Sequence, residues 1–181
     1  MPAISAGLLL SRRVTDAQTD ERRVEVLLVH PGGPYWAKKD AGAWSIPKGM
    51  AEPDELGPEP ATVTAAKARN RAAAVDLLAV ARREVREETG LEPDGPFQPL
   101  GGVKAHGHKL IFAWAVEHDC DATAITSNTF SMEWPPRSGK TAEFPEVDRA
   151  GWFGLVEARA AIVPAQRRFL DDLAVVAAAG A

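Results

Sequence analysis

The chain has 181 residues, 45% of them hydrophobic, with 21 basic and 25 acidic side chains, a net charge of −4 and a single cysteine. That length suits one domain with a sizeable core and leaves no room for a second. The acidic balance argues against a protein that coats duplex nucleic acid, and the lone Cys120 excludes an intrachain disulfide and fits a reducing cytoplasm.

Residues 1–10 carry no basic stretch ahead of their short apolar run, and no run reaches the roughly 18 apolar residues of a membrane span, so no membrane role is expected. Residues 4–12 and 24–30 read as a hairpin around a polar loop. Pro31-Gly32-Gly33-Pro34 then breaks the chain. The loop that follows holds Trp36, Lys38 and Lys39, and Trp44 leads through Ile46-Pro47 to Lys48. Exposed tryptophan and lysine in a loop suit stacking on a base and contact with a phosphate. Trp36, Trp44, Lys38 and Lys48 are therefore substrate-binding candidates, although packing explains the two tryptophans equally well.

Residues 49–91 organise the rest. A glycine turn at Gly49 precedes Glu52 and Glu55, an alanine-rich stretch runs over about 56–75, and Arg83-Glu84-Val85-Arg86-Glu87-Glu88-Thr89-Gly90-Leu91 reads as a helix closing on a left-handed glycine. On that helix Glu84, Glu87 and Glu88 share an arc of about 100° beside the apolar Leu78, Ala81 and Val85. Glu84 and Glu88 repel at i, i+4, and a helix C-terminus disfavours anions, each effect amounting to some tenths of a kcal/mol. A positive charge is expected among them. A solvated helix with Arg83 paired to Glu87 is the plain alternative, but the glycine turn and two further carboxylates weigh against it. Carboxylate and carbonyl oxygens are what Mg²⁺ or Mn²⁺ takes, commonly shared with substrate phosphates. The alanine-rich stretch either extends the helix backwards from a cap at Thr62 or Thr64, or forms a loop beginning at Pro58 and Pro60.

Downstream, residues 97–103 and 110–116 read as strands around a tip at 104–109. There Lys104 and Lys109 are candidate phosphate contacts, while His106 and His108 lack the partners of a zinc site. Residues 128–140 read as a long basic loop with Trp134, Arg137 and Lys140, its length favouring function. Glu143 and Glu146 precede Trp152-Phe153, and 155–176 carries an amphipathic helix interrupted at Pro164.

Gly49 and Glu55, followed by Arg83, Glu84, Val85, Glu87, Glu88, Gly90 and Leu91, resemble the signature of the Nudix hydrolases. The chain departs in spacing: 27 residues separate Glu55 from Arg83 where that signature has seven, an insertion of 20. The resemblance implies an α/β/α sandwich with a mixed sheet and a Mg²⁺ or Mn²⁺ cofactor. It implies metal ligands among Glu84, Glu87, Glu88, the Gly49 carbonyl, Glu52 and Glu55. Glu84 is the expected base, with Glu143 and Glu146 as alternatives, and Arg83 would orient the carboxylates. The implied partner is a small nucleotide or other phosphoanhydride, with Lys38, Lys48, Arg137 and Lys140 on its phosphates, and a homodimer is allowed. The Trp-Ser-Ile-Pro-Lys-Gly entry is similar to that of members acting on dinucleoside polyphosphates and diphosphoinositol phosphates. A hydrolase that removes oxidised or noncanonical nucleoside triphosphates and a non-catalytic nucleotide sensor are the rival readings.

Overall fold

The computed structural model describes residues 3–15, 20, 22–56 and 76–179. Its elements run β1 (Ile4–Thr15), β2 (Arg22–Pro31), β3 (Lys48–Met50), α1 (Leu77–Thr89), β4 (Gln98–Lys104), β5 (Leu110–Glu117), β6 (Thr129–Glu133), β7 (Thr141–Pro145), β8 (Val147–Gly154), α2 (Leu155–Ala161) and α3 (Arg167–Ala179).

Strand β1 is the axis of the main sheet, whose order is β4-β5-β1-β2-β8. It runs parallel to β5 along eight residue pairs, from Ile4 opposite Leu110 to Ser11 opposite Glu117. On its other edge it changes partner: Ser11–Thr15 pair with β2, and Ser5–Gly7 pair with β3. The parting of β1 from β2 lets the Lys48–Met50 segment join the sheet on the first half of β1, beside α1. Gly7 has no side chain because the Lys48 and Pro47 backbone occupies that space.

Alternation along the strands builds two apolar layers. Ile4, Ala6, Leu8 and Leu10 of β1 with Leu110 and Phe112 of β5 face α1, whose Leu77, Val80, Ala81 and Val85 lie on them. Leu9, Val26, Leu28, Ile111 and Ala113 face the opposite way, onto Ala158, Phe169, Leu170 and Leu173 of α2 and α3. Each buried Val, Leu, Ile or Phe side chain among them contributes about 1.5–3 kcal/mol. The result is the mixed-sheet α/β/α sandwich expected. Buried Gln166 tethers the lead-in to β3, its amide oxygen accepting from the Ile46 N–H at 3.0 Å and its amide nitrogen donating to Ser45 Oγ at 3.1 Å.

Two expectations need correction. Residues 128–140 do not form a loop: β6 and β7 make an antiparallel hairpin with Phe130 opposite Phe144, and the segment between them, with Pro135, Pro136 and Gly139, is its tip. The turn residues masked the short alternating flanks. The helix that carries the three glutamates begins at Leu77, where Asp76 caps it by accepting the Ala79 N–H at 3.1 Å. Residues 57–75, with Thr62 and Thr64, lie outside the described residues. Finally, the buried stripe of α1 includes Leu77 and Val80, with Leu78 half-buried at its edge.

Candidate active site

The last two turns of α1 lie beside β3, and their carboxylates meet backbone and arginine. Gly90 ends the helix at φ 72°, its N–H bonded to the Arg86 carbonyl at 2.8 Å. Glu88 reaches under β3 to accept the Lys48 N–H at 2.7 Å. The Glu84 carboxylate lies against the α-carbon of Gly49, in space that any side chain at 49 would fill. A glycine is thus required there by the carboxylate itself.

Arg83 is the organiser. Its Nε and Nη2 form a fork on Glu55 at 3.0 and 2.9 Å. Its Nη1 lies 2.8 Å from Glu84 and 3.1 Å from Glu87, and Nη2 also donates to the Met50 carbonyl at 3.2 Å. Four of these contacts are hydrogen bonds, and the fifth, to Glu84, is an ion pair. The paired Glu87 of the plain reading is therefore present, but as one arm of a larger network. Arg83 also joins the two halves of the motif across the insertion, through Glu55. That pairing lowers the Glu55 pKa, with the hydrogen bond from Arg83 the largest cause.

Burial and like charge act on the other two. Burial raises the Glu84 carboxyl, against the pull of Arg83, and the charges of Glu87 and Glu146 raise it further. Burial pushes Glu88 up to about 7, opposed by Lys48 and aided by Glu84 and Glu146. Glu146, exposed at the junction of β7 and β8, is a fourth carboxylate, near enough for its charge to act on both. Lys109, half-buried at the start of β5, feels Lys48, Glu88 and Glu84, and burial lowers its pKa most.

Other candidates stand elsewhere. Glu52 and Glu143 are exposed, Glu143 on the outer side of β7. Lys38, Lys104, Arg137 and Lys140 are exposed, the last two at the hairpin tip. Trp36 is exposed with Lys39 Nζ 4.6 Å from its ring centroid. Trp44 is buried in the layer opposite α1, edge-on to His30 and Phe153 at 5.3 and 4.8 Å, and its indole N–H bonds to Asp40. Packing is what this tryptophan does. His30 went unnoticed in the sequence: fully buried, it faces Asp148 through Nδ1 and the Lys39 carbonyl through Nε2, both at 2.7 Å, and so pins the Trp36 loop to the start of β8. A histidine closing an apolar strand before Pro-Gly-Gly was the available signal.

The donor set fits a hard divalent cation. Among the described residues no His, Cys, Asp or Glu side chains already form a three-ligand cage, since Arg83 and the Lys48 amide hold the oxygens. Yet a buried Glu88 beside Glu84 and Glu146 is a concentration of anionic oxygen that needs positive charge to be stable.

A NUDIX domain model matches residues 72–173, more than half of the chain, taking in the second half of the motif and everything after it to α3. The chain belongs to the Nudix family. It is a Nudix hydrolase by that membership, and the family generally uses divalent metal ions. Among solved structures it is similar to a mutT/nudix protein of Listeria innocua, at 15% identity and TM-score 0.58 over 99% of this chain and 97% of that one. It is also similar to the NUDIX domain of Shewanella oneidensis NrtR complexed with ADP ribose, at 14% identity and TM-score 0.56 over 98% and 89%. The MutT protein of Methanosarcina mazei Go1 is a third, at 18% identity and TM-score 0.53 over 94% and 91%. These likenesses are of fold. No curated protein matches the sequence. Among the described residues no helix is long and apolar enough to cross a membrane.

Proposed function

We propose that this Nudix hydrolase is a Mg²⁺ or Mn²⁺ dependent pyrophosphohydrolase that cuts the phosphoanhydride of a nucleoside diphosphate joined to a further group, a dinucleoside polyphosphate or a nucleoside triphosphate being the simplest cases. The observation that carries the reading is the gathering of Glu84, Glu88 and Glu146, with Glu87 held alongside by Arg83. A bound nucleoside diphosphate linked to a sugar in the Shewanella oneidensis domain supports the substrate class.

Glu84, Glu87 and Glu88 would hold the divalent ion, with the Gly49 carbonyl, Glu55 and Glu52 as further candidates. When bound, the ion supplies positive charge to the anhydride oxygens and acidifies water. Glu84 takes the proton as water oxygen attacks phosphorus and the bridging P–O bond breaks, the electron pair leaving with the departing phosphate. Its raised pKa suits a group that must be ionised yet basic near neutrality. Lys48 and Lys109, the lysines whose charges act on Glu88, bind the phosphates. Arg83 fixes the carboxylates by its fork, which lysine cannot reproduce. Trp36, Lys38, Lys104, Arg137 and Lys140 form the outer candidates for the rest of the substrate. One domain over 1–181 interrupted at about 56–75 accommodates all of these.

Purified protein with Mg²⁺ is to be offered dinucleoside polyphosphates, nucleoside triphosphates and sugar nucleotides. Cleavage within the anhydride of a nucleoside diphosphate derivative is expected. Tight binding with no turnover of any member would contradict the reading.

A further inference from the structure

Glu146 is not held by its own element alone. The segment 126–128 crosses from the end of α1 to the junction of β7 and β8. The Thr126 N–H donates to the Thr89 carbonyl at 3.3 Å, and the Asn128 N–H donates to the Glu87 carbonyl at 3.2 Å. Those carbonyls belong to the helix end, where no partner exists within the helix. On the other side, the Asn128 carbonyl accepts the Glu146 N–H at 2.9 Å. Ser127 closes the clasp: its Oγ accepts the Val147 N–H at 2.9 Å and donates to the Asn128 carbonyl at 2.9 Å. Gly32 adds its N–H to the Glu146 carbonyl at 2.9 Å. The other bonds named join backbone groups, so the Ser127 hydroxyl is the one that substitution can remove. The whole β6–β7 hairpin lies between the two halves of the clasp, with Thr129 opposite Pro145 at its root.

We propose that Ser127 is a positioning residue that sets Glu146 against Glu84 and Glu88 by fixing the backbone on both sides of it. The proposal rests on Glu146 belonging to the active site. Displacing a charged group of the site by a fraction of an ångström carries a rate cost, and a loss of about tenfold in kcat, with KM within about twofold, is expected for Ser127→Ala. Ser127→Thr, which keeps the hydroxyl, should recover most of that rate. In the metal-free protein the Val147 amide should exchange its hydrogen at least about tenfold faster in Ser127→Ala, because its acceptor is gone. Added to Glu146→Gln, Ser127→Ala should cost nothing more, as expected for two residues acting through one group.

Wild-type kcat in Ser127→Ala, unchanged exchange at Val147, or the same loss in the Glu146→Gln background would overturn the proposal and leave the hydrolase reading standing. Full activity of Glu146→Gln would overturn the proposal by removing Glu146 from the site. A wild-type protein without turnover would strike the hydrolase reading itself, and exchange at Val147 would still decide the clasp.

Discussion

Helices α1 and α3 are each 13 residues long and lie on opposite faces of one sheet, yet they treat charge in opposite ways. On α3, Phe169, Leu170 and Leu173 are buried, and the carboxylates stand outward in exposed or half-exposed pairs, Asp172 with Arg168 and Asp171 with Arg159 of α2. On α1, by contrast, Glu84 and Glu88 are drawn beneath β3 beside each other and Glu146, at a helix end that already disfavours anions. One helix keeps its carboxylates outward and paired, and the other breaks several local rules for stability within two turns. Such breaches gather at functional sites, because the chemistry needs what the fold alone would reject. The contrast therefore separates a helix that holds the protein together from one that does its work.

The largest effect should come from neutralising α1. Glu87→Gln and Glu88→Gln are each expected to keep the fold and cut kcat on the order of 10²–10³-fold with Mg²⁺ present, the scale of removing a main electrostatic group. Steady-state rates at saturating Mg²⁺ check this, and wild-type rates in both would erase the distinction between the helices. The reciprocal change on α3, Phe169→Ala, should lower stability by about 3–5 kcal/mol in urea unfolding while leaving kcat of the folded fraction near its original value. A lost kcat with unchanged stability would invert the comparison.

A subtler sign distinguishes the two helices through pH. Glu88 ionises at about 7 in the fold against an ordinary 4.5, so between those values the folded chain holds a proton that the unfolded chain has lost. Its contribution is whole below 4.5 and is lost as pH rises through about 7, a fall of about 3 kcal/mol. In metal-free protein at pH 8, Glu88→Gln should therefore stabilise by about 1–3 kcal/mol, with little effect at pH 4.5. Equal or lower stability than wild type at pH 8 would mean that Glu88 is not strained. The smallest effect belongs to α3: Asp172→Asn should change stability by no more than about 0.5 kcal/mol, as exposed pairs do.

Much of this was legible in the residues because the motif and the alternation are local signals. The three glutamates and the Gly90 cap follow from spacing alone, the layered fold came with the resemblance to the Nudix signature, and Gly49 was marked before its contact with Glu84 was known. What spacing could not supply were contacts across the chain. Nothing local ties Lys109 to Glu88, or tells apart Glu143 and Glu146, both exposed, of which only Glu146 lies near enough for its charge to act on Glu84 and Glu88. Trp44 offered an aromatic without a direction, and the strand it sits beside turned it into the core. The β6–β7 hairpin was hidden because its prolines and glycine speak louder than five-residue strands. Ser127 carried no signal at all, since its partners are backbone groups of Asn128 and Val147.

The account stands on a divalent cation collected by the carboxylates at the end of α1. Crystals soaked in manganese, measured for anomalous scattering, test it most directly. A manganese peak within coordination distance of oxygens from Glu84, Glu87 and Glu88 is the predicted result. A saturating soak in which those oxygens keep only Arg83 and the Lys48 amide, with manganese bound elsewhere or nowhere, would contradict it.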